Sequence, residues 1–298
     1  MSDAAGRAGP GAPLLDRNAI RRYAERASAG YDSAAVLARE LRNAMLERLD
    51  YIAFTPTAIL DLGCGTGEGA VALAARWPRA RVVAVDLAPA MLDALAARDD
   101  VKGIERIRAE AESLPIPDAS LDLVFSNLML PWCEDIDAVF AEVARVLAPR
   151  GLFSFTTLGP DTLMELRAAW RAVDDSEHVH PFTDMHDLGD GLVRAGLAEP
   201  VHDVSRYTLT YPDADALMRD LKAIGAQNAA ESRTRGLTGR GRIAAMAAAY
   251  EPFRTGGVLP STWETVFGQV WGPLERPARG DEFTFPVSGI GRRGRLGR

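Results

Sequence analysis

The sequence predicts an α/β fold: a mostly parallel seven-stranded sheet with helices on both faces and a helical lid. Three observations predict it. Strand and helix patterns alternate from residue 57 to 158, an order that gives parallel strands joined by crossover helices. The first strand runs into a turn with glycine at alternate positions, Gly63-Cys64-Gly65-Thr66-Gly67. After residue 158 the rhythm changes to helices with two late strands. The 298 residues, 47% of them apolar, suffice for one large domain with a full core.

Residues 1–13 are small and Gly/Pro-rich, and are expected to be disordered. A single domain should then span residues 14–288. Its first part, 14–56, reads as a helical cap. Ser33 is the expected N-cap of a helix carrying Leu37, Leu41, Met45 and Leu49. The core, 57–158, has strands expected at 57–62, 81–86, 105–109, 121–126 and 151–158. Helices are expected at 68–76, 88–97 and 136–147. In the lid region, 159–261, helices are expected at 161–173, 185–195 and 213–224, a strand at 200–211, and a Gly/Arg-rich loop at 226–242. Residues 262–271 alternate with a period of two and predict the last strand, within a segment 262–272. The late strands should complete the sheet while the segments between them cover the site. The basic stretch 289–298 reads as a frayed tail.

The formal charge of −7 argues against generic nucleic-acid binding. No apolar run approaches the ~18 residues of a membrane helix. The first residues lack the basic-then-apolar order of a signal peptide. Cys64 and Cys133 form no ligand pattern, so a reduced, cytoplasmic setting is expected. Lys102 and Lys222 are the only lysines among 34 basic residues, which points to a GC-rich genome more than to function.

Ligands of such sheets bind at the carboxyl ends of the strands. Asp61, Asp86, Glu110 and Asn127 all fall at or just beyond those ends. The run Ala58-Ile59-Leu60-Asp61-Leu62-Gly63-Cys64-Gly65-Thr66-Gly67 and the acid Asp86 resemble the cofactor half of S-adenosylmethionine-dependent class I methyltransferases, which are Rossmann-like. A dinucleotide site would want glycine where Glu68 stands. The stretch 109–124, with Leu114-Pro115-Ile116-Pro117-Asp118, resembles a segment of the small-molecule members. Glu110 replaces their usual aspartate. The resemblance implies that Asp61 meets the cofactor's ammonium, directly or through water. Asp86 would accept from both ribose hydroxyls. Glu110 and the Ala111 amide would meet the adenine edge, with Met91 on the ring. Tyr23, Gly63, Cys64, Gly65, Gly67, Leu87, Ser126 and Asn127 complete the expected cofactor wall.

The second half narrows the resemblance. Ser126-Asn127-Leu128-Met129-Leu130-Pro131-Trp132-Cys133-Glu134-Asp135, then Asp161-Thr162-Leu163-Met164-Glu165-Leu166-Arg167, and Phe182-Thr183-Asp184-Met185-His186 are similar to the malonyl-[acyl-carrier-protein] O-methyltransferase family of biotin synthesis. The likeness covers roughly residues 15–290. Pro131 departs from it, standing where a polar residue is expected. Two other readings compete: a complex I assembly factor that hydroxylates a protein arginine, which shares parts of these segments, and a quinone-pathway methyltransferase.

The resemblance implies methyl transfer to the free carboxylate of malonyl-acyl carrier protein. That carboxylate is ionised at neutral pH and needs no general base. Arg167 is the expected carboxylate anchor, since a guanidinium suits a planar carboxylate. Tyr31 would face the site from the cap, and Trp132 would line the substrate channel. His186 would contact substrate or orient its loop. His178, His180 and His186 cluster in sequence, but the transfer needs no metal and none is expected. No G-x-S-x-G elbow supports hydrolase chemistry. The loop arginines Arg233, Arg235, Arg240 and Arg242 could steer an acidic carrier protein. The enzyme is expected to be a monomer, with no nucleic-acid or membrane partner.

Overall fold

The computed structural model describes residues 15–99, 103–233, 236 and 238–273. The expected disordered start, the basic tail and Arg235 lie outside them. Three helices open the chain: α1 (Arg17–Ala27), α2 (Tyr31–Ala34) and α3 (Val36–Arg48). Then come β1 (Ala58–Leu62), α4 (Glu68–Arg76), β2 (Arg81–Asp86), α5 (Pro89–Ala96), β3 (Ile104–Arg108), β4 (Leu121–Asn127), α6 (Ile136–Val146) and β5 (Leu147–Leu158). The remainder is α7 (Met164–Arg171), α8 (Met185–Arg194), β6 (Ala198–Tyr211), α9 (Ala214–Ala223), α10 (Arg240–Tyr250) and β7 (Leu259–Trp271).

The seven strands form one sheet in the order β3-β2-β1-β4-β5-β7-β6. The first five are parallel, and β7 runs antiparallel between β5 and β6. The order reverses between β1 and β4, which opens a crevice at their carboxyl ends. Central strands are apolar throughout because both of their faces are covered. Ile59, Val82, Ala84, Leu123 and Phe125 pack into one core cluster. Their alternating neighbours Leu60, Val83, Val85 and Val124 pack into the other with Phe153 and Phe155.

Several boundaries differ from the sequence reading. Ser33 does not cap α3; its hydroxyl donates to the Gly30 carbonyl at 2.7 Å, and Ala35 holds the cap position. Helix α7 starts at Met164 rather than 161. Glu264 of β7 pins the preceding turn, its carbonyl accepting from the Gly159 N–H at 2.9 Å and its Oε2 from the Asp161 N–H at 2.8 Å. Helix α10 replaces the last part of the expected loop. Its alanine-rich sequence favours helix but carries no apolar stripe at helical spacing, so periodicity missed it. Strands β5 and β7 start earlier than expected, β5 because Leu147 pairs with Leu121 beside a register shift.

Glu165 is buried in the first turn of α7 and accepts from the Thr262 N–H at 3.0 Å and hydroxyl at 2.5 Å. It ties the lid to β7. Glu165→Ala leaves both donors unpaired, at about 1–3 kcal/mol for each buried group left unsatisfied. We expect a lower Tm by thermal unfolding, with Glu165→Gln recovering part of it. An unchanged Tm would show that the tie carries no stability.

Candidate active site

The glycine turn folds back on β2: the Gly63 and Cys64 amides both donate to the Val85 carbonyl at 2.9 Å. All three glycines have positive φ, +73° at Gly63, +54° at Gly65 and +85° at Gly67, a region most side chains avoid. Their reasons differ. A Cβ on Gly67 would strike Leu95 at 2.2 Å, so Gly67 lets α4 start against α5. A Cβ on Gly65 would stand in open space, and Gly65 lines the crevice.

Asp86 ends β2 on the crevice wall. Its Oδ2 accepts from the Gly65 N–H at 2.9 Å and its Oδ1 from the Ala88 N–H at 2.8 Å. Burial pushes this carboxyl up, while the amide bonds oppose the shift. Each oxygen keeps a lone pair for a further donor. Gly63, Leu87, Met91, Glu110, Ala111, Asn127, Tyr31 and Trp132 line the same crevice. Met91 packs with Ala88 and Ala27, next to Tyr31. Burial and the neighbouring Asp86, Asp32 and Glu68 charges push the Tyr31 phenol up to about 12, so it stays a donor. Leu128, with φ 58°, stands in strained backbone on the wall.

The cap helices roof the crevice. Arg17 of α1 reaches Glu110 at 2.8 Å, Glu134 at 3.0 Å and Glu112 at 3.4 Å. Asp32 of α2 accepts from the Thr66 hydroxyl of the glycine turn and from Arg98 at 3.1 Å. Asn127 donates to the Ala38 carbonyl of α3 at 2.8 Å and accepts from Thr156 at 2.7 Å. Arg17 and Leu128 were not anticipated. The partners of Arg17 are remote in sequence, and nothing marks Leu128 as left-handed.

Other expected residues stand elsewhere. Ser126 is buried and donates to the Leu62 carbonyl at 2.8 Å, joining β4 to β1. Cys64 is buried in the core with its thiol pushed up by burial. Asp61 lies beneath the crevice against α4, hydrogen-bonded to the Ala70 amide, with Oδ2 unpartnered. Burial pushes its carboxyl up to about 7.

A second cavity adjoins the crevice, with a volume of about 1050 Å³ against about 170 Å³. Trp132 lines both. Tyr23 lines the second cavity rather than the crevice, with Leu163, Trp170, His180, Phe182 and Trp263. His180 meets Trp132 and Phe182 edge-on, with ring centroids 5.4 Å and 4.9 Å away. Its burial lowers the imidazole pKa. Arg167 does not reach the crevice. It lines a third cavity and donates to the Pro160 carbonyl at 2.8 Å and the Thr162 carbonyl at 3.2 Å. Leu163 at the start of α7 and Leu166 and Trp170 within it take the buried side and leave Arg167 on the flank. His186 is exposed at the start of α8, its Nδ1 2.8 Å from Asp184 Oδ1. His178 stacks on Trp170 and bonds Asp174 at 2.9 Å. His178 and His180 both line the second cavity, whereas His186 stands exposed on α8. Arg233 pairs with Asp16 at 2.6 Å and Arg242 with Asp174, whereas Arg240 is exposed.

A family profile described as a methyltransferase domain matches residues 60–155. The malonyl-[acyl-carrier protein] O-methyltransferase of Methylovorus sp. (strain MP688) is 50% identical over 275 residues, covering 90% of this chain and 93% of its own. A relative of the same name from Laribacter hongkongensis is 50% identical, covering 89% and 92%. Another, from Halorhodospira halophila, is 44% identical, covering 95% and 98%. Among solved structures, the YcgJ protein of Bacillus subtilis is similar with TM-score 0.55 at 17% identity, covering 78% of this chain and 98% of that one. The cyclase SpnF is similar with TM-score 0.56 at 17% identity, covering 90% and 100%. At such identity these structures share the fold alone.

Asp61 gives a pH signature. Its folded value, about 7, exceeds the unfolded value of ~3.9. The folded chain thus holds a proton that the unfolded chain has released. That contribution is fully present below ~3.9 and is lost as pH rises through about 7. Asp61→Asn removes the dependence. The Tm difference between variant and parent should move in the variant's favour from about pH 5 to about pH 7.5. A constant difference would contradict a raised carboxyl.

Proposed function

The chain belongs to the malonyl-[acyl-carrier protein] O-methyltransferase family, and from that premise we propose how its crevice and second cavity divide the work. The enzyme transfers a methyl group from S-adenosylmethionine to the free carboxylate of malonyl-acyl carrier protein, the methyl ester that primes pimeloyl synthesis for biotin. The observation that carries this reading is the crevice at the switch point, with Asp86 on its wall and Trp132 joining it to a larger cavity.

The residues fit S-adenosylmethionine. The space over Gly65 admits its amino-acid end. Asp86 offers one lone pair on each oxygen to a ribose diol. Glu110 and Ala111 flank the adenine end, over Met91. Beneath the turn, the unpartnered Oδ2 of Asp61 marks a carboxyl group not fully satisfied by the protein. Bound there, the cofactor supplies a methyl group made electrophilic by a sulfonium.

The protein's task is then to position and to exclude water. The malonyl carboxylate is ionised at neutral pH and is itself the nucleophile, so no side chain must take a proton. Tyr31 and Trp132, on the crevice wall, fix its approach. Orientation of this kind supplies several kcal/mol in well-aligned reactions. Arg167 lies outside the crevice and has no carboxylate partner among the described residues. That leaves it to the acyl arm or its lid, not the reacting carboxylate. Arg240 carries the basic-loop share of carrier docking, since Arg233 and Arg242 hold the cap and lid. No helix of the described residues is long and apolar enough to cross a membrane. Both cysteines are free, in keeping with a cytoplasmic enzyme.

Asp86→Ala removes two hydrogen bonds to an ionised acceptor, about 1.5–3 kcal/mol each. Calorimetric titration should give a cofactor Kd raised roughly 100–10,000-fold; an unchanged Kd would remove Asp86 from the ribose site. The reaction is tested with labelled cofactor and malonyl-, succinyl- and acetyl-carrier protein. Label should enter the malonyl species as a methyl ester and leave the acetyl species untouched. Label in none of them would end this reading.

A further inference from the structure

The late arginine loop is not the strongest basic surface. Arg22 and Arg26 of α1 and Arg219 and Lys222 of α9 all line the second cavity. All four are exposed. None has an ion-pair partner among the described residues. Of the other acids of this cavity, Asp16 is paired with Arg233, while Glu177 accepts from the neutral Ser232 hydroxyl and keeps its charge. Asp215 is the remaining carboxylate on the rim. Four cations without an ion-pair partner thus face two carboxylates without one, Glu177 and Asp215, on a chain whose formal charge is −7.

The rim is also partly apolar. Met218 and Ile243 line the same cavity and are 37% and 36% exposed. Exposed apolar side chains ringed by unneutralised cations suit an acidic protein more than a free anion. The charges speed and orient encounter, and the apolar contact holds it. The cavity reaches from this rim to Trp132, which borders the methyl-donor crevice.

We propose that Arg22, Arg26, Arg219 and Lys222 form the docking surface for the acidic face of the acyl carrier protein, around Met218 and Ile243. The thioester arm then enters the second cavity from this rim and delivers the malonyl end past Trp132. This surface rests on the reading above and adds the place where the carrier sits. Like-signed cations from two helices that are far apart in sequence converge only in the fold, so the sequence alone did not reveal them.

The test uses the full-length enzyme with two substrates, malonyl-carrier protein and the malonyl thioester of N-acetylcysteamine, which lacks carrier and phosphate. Arg22→Glu/Arg26→Glu and Arg219→Glu/Lys222→Glu are made separately and checked for an unchanged Tm. Each pair should raise KM for malonyl-carrier protein at least tenfold, leave kcat near the parent value, and leave both constants for the small thioester unchanged. The steep fall of kcat/KM with salt expected for the carrier substrate should flatten in the variants. Carrier-protein KM unchanged in both variants overturns the proposal. So does an equal rise for both substrates, which would mean damage to the cavity, or a rise seen only on reversing Arg240. If the parent enzyme methylates neither substrate, the functional reading falls and takes the docking surface with it. If it methylates both and the variants match it, only the docking surface falls.

Discussion

The site depends on one carboxylate that works backwards into the protein. Asp86 receives the Gly65 and Ala88 amides, joining the turn after β1 to the start of α5. Without these bonds two backbone N–H groups would stand unpaired beside a crevice, and the turn would have no fixed height above β2. The Val85 carbonyl holds the other end of the turn through Gly63 and Cys64. Parallel strands put these groups within reach of each other, because β1 and β2 pair in register from Ala58 with Arg81 to Leu62 with Val85. The sheet thus sets the turn, and the turn sets the crevice. A group already committed to two amides is also rigid, which reduces what a ligand must order on binding.

Around that floor the protein adds polar ties to the apolar packing of its roof. Arg17, Asp32 and Asn127 each connect a cap helix to the carboxyl edge of the sheet. The lid behind is held the same way, by Glu165, Glu264 and the pair of Arg242 with Asp174. The two apolar clusters on either side of the sheet supply bulk stability, while the ties set the position of the walls. Trp132 shows the division well: its short turn follows β4, and its ring is shared by the two cavities.

The strands and the first two acids were legible because a buried parallel strand leaves an unbroken apolar run, and its end is marked by a polar residue. The glycines were legible as a turn, but their separate duties were not. Gly65 and Gly67 look alike in sequence, yet one faces open space and the other avoids Leu95. Ser126 looked like a crevice residue from its place near the end of β4, but alternation turns it into the core. Arg167 was read from a motif whose helix starts three residues later than expected, with its buried face taken by leucines and Trp170. Helix α10 was missed because alanine marks helix by propensity and leaves no stripe. The basic rim between α1 and α9 was invisible because it is made by tertiary juxtaposition.

The reach of Arg17 has a consequence for the order in which the molecule comes together. Its three partners lie 93, 95 and 117 residues away along the chain. Contacts that distant carry the full cost of closing long loops and are made late. The roof is therefore a certificate of completion. It can seat only on a sheet whose β3 and β4 ends are already in place. A half-made chain has the glycine turn but not the roof that closes the crevice.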